Sequence, residues 1–458
     1  MKKINSTVFL LSLGFVMFTC QVIPTTALAQ NASLPDSLTL SEAIQIAAKE
    51  NPKVKAAGFQ EESTSSQVIE ARSGFFPKID FIETFNRTNN PMWAFGAKLN
   101  QGVITQADFN PETLNDPDDI SNFASAVSMA WTVYDGGRTR INWKQAHHSQ
   151  AIASLMLKQT KQNVITQTAK TYIGMLLAEK HLMVIDQSLD IARANLKMVG
   201  SRFENGFVVK SDFLRAKVRT AELEQERLQA ESQVKIAEAT LNAVMGYTDD
   251  RTWHLVSPFS QCIETTGSIG DWTKMALSSR PDLERLSYQE EIAKEEIDKA
   301  HAEHFPNLKL IGNYEINSED FSDTEDNYTV GALMQVNLFS GNRISSKAKS
   351  AKSTLRSAQA LRKNLELVIR VQVRESFLNT QSAWKRIQVA QRVVEQAKES
   401  MRIVKNRYQN GLLTIVDLLD AELTHQKSQT NHFKALHDYK VARINLARAA
   451  GIIDTNYK

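Results

Sequence analysis

The chain has 458 residues, and one long segment of it is written twice. Phe76-Pro77 recurs as Phe305-Pro306, Tyr134-Asp135-Gly136-Gly137-Arg138 as Phe339-Ser340-Gly341-Asn342-Arg343, and Arg202-Phe203-Glu204-Asn205-Gly206 as Arg407-Tyr408-Gln409-Asn410-Gly411. The last two pairs share an offset of 205 with Asp212/Asp417 and Gly246/Gly451, whereas the Phe-Pro pair lies at 229, so the first copy carries 24 extra residues ahead of its Gly-Gly turn. Length alone suggests roughly three domains. A duplicated unit, however, has to be read as two similar halves before any residue is given a role.

Residues 1–29 read as an export signal: Lys2-Lys3, an apolar run from Val8 to Phe18, and the small-x-small pattern Ala27-Leu28-Ala29 before Gln30. Lipidation at Cys20 is the alternative, opposed by Thr19 and the bulky Phe18 before it. Cleavage leaves Cys262 alone, so no intrachain disulfide is expected even in an oxidising compartment. Loss of Lys2 and Lys3 lowers the net charge of +3 to near neutrality, with acids and bases interspersed, which gives no support to nucleic-acid binding. After the signal no apolar run approaches the ~20 residues of a membrane-spanning helix. Entry into a membrane would have to be through strands.

Each copy opens with a helical pattern, from Leu40 to Gly74 with Ser41 as cap and from Trp272 to Glu303 with Pro281 near its start. Phe76-Pro77 and Phe305-Pro306 stop these helices, because proline drives the preceding residue out of the helical region. The period then becomes two. Leu308, Leu310, Gly312, Tyr314 and Ile316 alternate with Lys309, Ile311, Asn313 and Glu315, a polar stretch follows, and Tyr328, Val330, Ala332, Met334, Val336 and Leu338 alternate again, giving a hairpin with one apolar face. The first copy repeats this with Ile79, Phe81 and Phe85 outward and Phe123, Val127, Met129, Trp131 and Val133 returning, while Trp93, Phe95, Ala97 and Leu99 are expected to lengthen its hairpin. Such ~10-residue alternating runs are the signature of outer-membrane strands. Hairpins lying on a soluble helix layer are the plainer reading, against which the signal peptide and the aromatic content weigh.

Four strands cannot close a barrel, since the smallest membrane barrels have ~8, and an open edge in lipid costs several kcal/mol per unsatisfied group. Strands must therefore be pooled between chains. Beyond each turn lies a long helical run. From Arg343 to Asn410 there is no Gly or Pro, and Ile387, Ala390, Val394, Ala397, Met401, Val404 and Tyr408 are spaced by three and four, the heptad pattern of supercoiling helices. Asn410-Gly411 reverses the chain, and the return helix runs from Val416 to Ala450, capped by Gly451. The expected organisation is thus a first repeat over 30–247 (helix, β-hairpin 79–134, helical hairpin 138–246), an unrepeated linker 248–270, and a second repeat over 271–458 (helix, β-hairpin 307–339, helical hairpin 343–451).

The whole mature chain resembles the TolC-like outer-membrane efflux protein family. The resemblance rests on Leu38-Thr39-Leu40-Ser41-Glu42-Ala43 with Asn51-Pro52, on Tyr134-Asp135-Gly136-Gly137-Arg138, and on the two helical turns, above all Tyr408-Gln409-Asn410-Gly411-Leu412-Leu413-Thr414-Ile415-Val416-Asp417-Leu418-Leu419-Asp420. It implies an α+β membrane protein: a homotrimer whose twelve pooled strands form a barrel in outer-membrane lipid, continued by a periplasmic barrel of helices. It also implies a passive exit duct for efflux or type I secretion, served by a periplasmic adaptor and an inner-membrane RND or ABC pump that selects the cargo. A periplasmic coiled-coil scaffold or surface adhesin is the alternative, but it leaves the alternating hairpins without a use.

By the same resemblance, Asp417 and Asp420 line the periplasmic entrance. They stand one helical turn apart on one face, so three copies would gather a cation-attracting ring of carboxylates. A simpler role for helix-start acids is to favour the positive end of the helix dipole. Asp212 matches Asp417, but Arg215 stands in the place of Asp420. Leu413 occupies a position where family members carry an entrance-latching arginine, leaving Tyr408, Lys210 and Arg215 as candidates for holding the entrance. Asn205, Gly206, Phe207 and Val208, with Asn410, Gly411, Leu412 and Leu413, resemble the family's adaptor-docking turns, and apolar residues at an exposed tip are costly unless a partner covers them. The competing expectation is that they pack inside the turn. His147-His148 and His301 with His304 lack a third ligand at usable spacing, so neither a metal nor a cofactor is expected, and no motif points to catalysis.

Overall fold

The computed structural model describes residues 37–249, 251–260, 262–455 and 457; the export signal and Cys20 lie outside these. In chain order the elements are β1 (Ser37–Leu38), α1 (Leu40–Glu50), α2 (Pro52–Ser73), β2 (Lys78–Thr88), α3 (Pro91–Asn100), α4 (Pro111–Asn115), β3 (Ile120–Tyr134), α5 (Arg138–Glu204), α6 (Lys210–Met245), β4 (His254–Leu255), α7 (Ile269–Ser279), α8 (Pro281–Ala302), β5 (Asn307–Ser318), β6 (Glu325–Gln335), α9 (Arg343–Gln409) and α10 (Ile415–Ala449). A short 3-10 turn, Gln106–Phe109, lies between α3 and α4. The fold is α+β. No helix among the described residues is long and apolar enough to cross a membrane.

The opening helix of each copy is two helices rather than one. Asn51 and Arg280 precede prolines and take extended ψ values of 127° and 121°, which breaks the ladder there and restarts it with Pro52 and Pro281 in the first turn. The cap of α1 is Thr39 rather than Ser41, in a reciprocal box with Glu42. The two copies solve the same corner in parallel. Asn51 donates through Nδ2 to the Val244 carbonyl at 2.7 Å, and Arg280, its equivalent, donates to the Ala449 carbonyl at 3.3 Å. Gly246 and Gly451 close the return helices with φ of +94° and +74°, and a Cβ there would sit 2.8 Å from the Glu50 carbonyl oxygen or 2.9 Å from Arg280 Cγ.

The two hairpins form one antiparallel sheet in the order β2-β3-β5-β6. Their registers superimpose: Lys78 faces Ala130 in the first and Asn307 faces Gln335 in the second, each pair related by the sequence offsets of 229 and 205. Rows such as Phe81-Val127-Tyr314-Tyr328 lie on one face, and rows such as Asp80-Ser128-Asn313-Thr329 on the other. One face is therefore apolar and the other small and polar, and Phe81, Tyr328 and Val330 are more than two-thirds exposed. At the helical end, Trp131 Nε1 donates to the Phe75 carbonyl at 3.0 Å.

The segment of Trp93 to Leu99, expected to extend the first hairpin, is helix α3 instead. Asn90 accepts from the backbone N–H groups of Met92 and Trp93, and Pro91 presets the first turn, so local capping overrides the alternating pattern. β6 stops at Gln335, short of Phe339. The largest core is where α1, the middle of α5 and α9 and the ends of α6 and α10 converge on Tyr172 and Tyr439, and where β1 pairs in parallel with β4 of the linker. Tyr172 ties this belt together by donating to the Leu38 carbonyl at 2.7 Å. From there the α5–α6 and α9–α10 hairpins run on to their turns.

Candidate functional site

The two helical turns are built alike. Gly206 and Gly411 adopt φ of +74° and +76°, and the N–H groups of Phe207 and Leu412 return to the carbonyls of Arg202 and Arg407 at 2.8 and 3.0 Å. Asn205 and Asn410 donate their side-chain amides to the carbonyls of Ser201 and Asn406. These four residues thus make the turns. Val208 and Leu413 fold back onto a small cluster of Val199, Ala216, Tyr408, Ile415 and Leu418. Phe207 and Leu412 project instead, 81% and 72% exposed. Val208 and Leu413 thus pack inside the turns, while Phe207 and Leu412 lie outside them.

Asp417 occupies the third position of α10, where its Oδ2 accepts from the Thr414 hydroxyl at 2.7 Å and the Thr414 N–H at 2.9 Å. Those bonds hold its carboxyl below the usual range. Asp420, one turn on, is exposed. Asp212 stands at the same position of α6, but Val209 precedes that helix and provides no side-chain cap. The acids of the second copy are therefore one bound in a capping box and one free-standing.

Three residues meet where the two hairpins abut. Tyr408 is buried, and its hydroxyl has no partner among the described residues; burial, with the Asp212 charge nearby, pushes the phenol up, against the pull of Arg202. Arg202 lies with its guanidinium 5.4 Å from the Tyr408 ring centroid and donates to the carbonyls of Gln409 at 2.6 Å and Tyr408 at 3.3 Å. A cation is thus placed at the negative end of α9, where it satisfies carbonyls that the helix leaves unpaired. Sequence reasoning gave Arg202 no role. Its recurrence as Arg407, three residues before each Asn-Gly, was the available signal. Among the described residues no ion pair involves Lys210 or Arg215. His148 faces Glu295 at 3.4 Å, and no group of three His, Cys, Asp or Glu is placed to hold a metal among the described residues.

Farther from the turn, Glu422 of α10 is enclosed by α5, α6 and α9, with Asn195 hydrogen-bonded to it and Lys405 and Arg219 nearby. Burial pushes its carboxyl up to about 6, only partly offset by those neighbours. The folded state therefore favours the protonated form, and stability falls as pH rises from about 4.5 through about 6. Glu422→Gln is expected to stabilise the protein by about 1–2 kcal/mol at pH 7.5 and to lose that advantage near pH 5. Thermal unfolding in detergent at the two pH values checks this; an equal gain at both would contradict it.

Residues 43–247 and 272–452 match the family described as Outer membrane efflux protein, in two blocks that follow the duplication. The chain is 21% identical over 453 residues to the proteases secretion protein PrtF of Dickeya chrysanthemi, covering 94% of this chain and 92% of that protein. It is 20% identical over 438 residues to outer membrane protein TolC of Escherichia coli, covering 92% and 84%. Among solved structures, the outer membrane protein VceC of Vibrio cholerae superimposes with a TM-score of 0.73 at 18% identity, over 90% of this chain and 96% of that one.

Proposed function

The chain belongs to the outer membrane efflux protein family, and from that premise we propose that three copies pool their strands into one twelve-stranded barrel and their helices into one periplasmic duct. The protein is an outer-membrane channel of the efflux and type I secretion kind, reaching from the outer membrane into the periplasm. The observation that carries the trimeric reading is the sheet. It ends in two open edges, β2 and β6, which are costly to leave unpaired in lipid, and it exposes a large apolar face, which is costly in water.

The internal joint supplies a template for the joint between copies. Within the chain, the return strand of the first copy pairs with the outgoing strand of the second, Ser128 facing Asn313. Applying the two offsets places Leu333 of β6 opposite Thr84 of β2 in the next copy. The Gly341-Asn342 turn of the second copy then seats on a neighbour. Gly136 packs against the corner of α8 and β5, where a Cβ would lie 2.6 Å from the Ala302 carbonyl oxygen, whereas nothing lies within 4 Å of one built on Gly341. Val133 and Tyr134, beside the covered turn, are 46% and 47% exposed; Leu338 and Phe339, beside the uncovered one, are 92% and 86% exposed. The polar face then lines the channel and the apolar face meets lipid.

At the periplasmic end Asp417 and Asp420 form the entrance ring. Phe207 and Leu412 offer apolar contacts to a periplasmic adaptor, which links the duct to an RND or ABC pump in the inner membrane. Purified protein in planar bilayers tests this reading. It is expected to form cation-preferring channels blocked by divalent ions, and replacing Asp417 and Asp420 by Ala is expected to reduce both properties. Because Asp417 also caps α10, Asp420→Ala alone is the cleaner variant, costing little stability. Unchanged selectivity would place the ring elsewhere, and a soluble periplasmic monomer would defeat the channel itself.

A further inference from the structure

The insertion that distinguishes the first copy is a folded body. Between β2 and β3, residues 89–119 contain α3, the 3-10 turn and α4, whereas only residues 319–324 separate β5 from β6. The insertion has a core of its own: Ala94 is fully buried, and the rings of Phe95 and Phe109 meet edge to face at 5.7 Å. Lys98 Nζ bonds Asp108 Oδ1 at 2.7 Å and is the main cause holding that carboxyl down at about 2. Thr105 and Asp108 close a reciprocal capping box. Mere slack between two strands would require none of these.

This body is fastened to one face of the sheet. Gln101, 6% exposed, donates through Nε2 to the Ser121 carbonyl at 2.7 Å and to Asn122 Oδ1 at 2.8 Å. Asn122 donates in turn to Asn317 Oδ1 at 2.7 Å, and Asn317 to Glu315 Oε1 at 2.8 Å. The register puts Asn122, Asn317 and Glu315 on the polar face, with Ser128 and Asn313. Asn317 is fully buried although it lies on a single sheet, so something covers it. Gly102 carries the loop on to β6: its φ is +69°, and a Cβ there would stand 2.8 Å from Glu325 Cγ. The insertion thus reaches from β3 across β5 to the start of β6, at the end of the sheet away from the helices.

We propose that residues 89–119 form a lid over the channel-lining face at the outer mouth, narrowing the duct against bulky solutes arriving from outside. The proposal rests on the assignment of the polar face to the channel. A part-buried relay running from the lid through β3 into β5 holds the lid in place, and its members come from both copies of the repeat. Breaking one of these bonds would leave amides unpaired where the lid meets the sheet. Three lids in a trimer would converge on the axis from three sides.

The test uses a thiol beneath the lid. Thr329→Cys, on the polar face opposite Asn313, is placed in the full chain with Cys262→Ser, and intact cells receive either a small membrane-impermeant maleimide or a bulky poly(ethylene glycol)-linked one. With the lid present, the small reagent is expected to label and the bulky one to lag. Replacing residues 91–117 by a short Gly-Ser turn is expected to speed the bulky reagent about tenfold or more while moving the small one less than about twofold. Gln101→Ala with Asn122→Ala, which unhooks the lid without removing it, is expected to give an intermediate gain and serves if the deletion fails to assemble. Equal labelling by the bulky reagent with and without the lid would overturn the proposal and leave the channel intact. If neither reagent reaches Thr329→Cys while both label Asp323→Cys in the β5–β6 loop, the polar face is not open to the exterior, and the channel assignment falls with the lid.

Discussion

Gly136→Val is expected to abolish assembly, while Gly341→Val leaves the single chain folded and fails only when copies meet. Both glycines hold left-handed backbone, with φ of +72° and +60°, which a β-branched residue adopts at a cost of about 1–2 kcal/mol. Gly136 bears a second burden, because its new Cβ would stand 2.6 Å from the Ala302 carbonyl oxygen and 3.0 Å from Phe305 Cβ, and neither can move without displacing the α8–β5 corner. Together the strain and the clash are expected to cost about 3–5 kcal/mol, a large share of the stability of any domain. Gly341 meets no such neighbour in its own chain. If the next copy supplies the equivalent corner, around Ser73 and Phe76, Gly341→Val carries the same clash into the trimer. Heat-modifiable trimers in the outer-membrane fraction measure assembly, and helical content of the unassembled chain measures folding. Normal trimers from Gly341→Val would show that its turn does not rest on a neighbour.

Arg202→Ala is expected to loosen the periplasmic tip. Its guanidinium joins the first helical hairpin to the end of α9 through two carbonyls and the Tyr408 ring, an arrangement worth about 1.5–3 kcal/mol for a charged group. The tip cluster beneath is small, so this link is a large fraction of what holds α5 to α9 at that level. By the repeat, Arg407 would make the same bonds to the carbonyls of Phe203 and Glu204 in a neighbouring copy. We therefore expect Arg202→Ala to raise single-channel conductance about two- to fivefold, Arg202→Ala with Arg407→Ala to raise it further, and Arg202→Lys to fall between, since lysine keeps the charge but loses the fork. Conductance unchanged in the double variant would remove these arginines from the entrance.

The sequence and the structure part company where a role depends on tertiary neighbours. The turns at Phe76-Pro77, Gly136-Gly137 and Asn410-Gly411 are legible because proline and positive-φ glycine act locally. The heptad stripe from Ile387 to Tyr408 is legible because one face of a long helix has to be covered, and Ile387, Ala397 and Tyr408 are indeed buried. The breaks at Asn51 and Arg280 were announced by Pro52 and Pro281 and hidden by the continuous apolar spacing around them. Helix α3 was hidden for the opposite reason, since Trp93, Phe95, Ala97 and Leu99 alternate while the Asn90-Pro91 cap fixes the outcome. Arg202 was invisible because its partners are backbone carbonyls 206 and 207 residues away, which no pattern of side chains records. The split of the tip between packed Val208 and Leu413 and projecting Phe207 and Leu412 is likewise a matter of turn geometry, shared by both copies.

The trimeric channel depends on the open edges β2 and β6 closing on one another between copies in the register of the internal β3–β5 joint. Oxidative cross-linking in the Cys262→Ser chain tests it most directly. Leu333→Cys combined with Thr84→Cys is expected to yield a covalent, reducible trimer from native outer membranes, as the pairing of Ser128 with Asn313 dictates. Gly331→Cys with Asn86→Cys, which repeats the pairing of Ala126 with Glu315, is expected to do the same. Cross-linking confined to a shifted register, or a chain that stays monomeric with both thiols free, would contradict the pooled barrel.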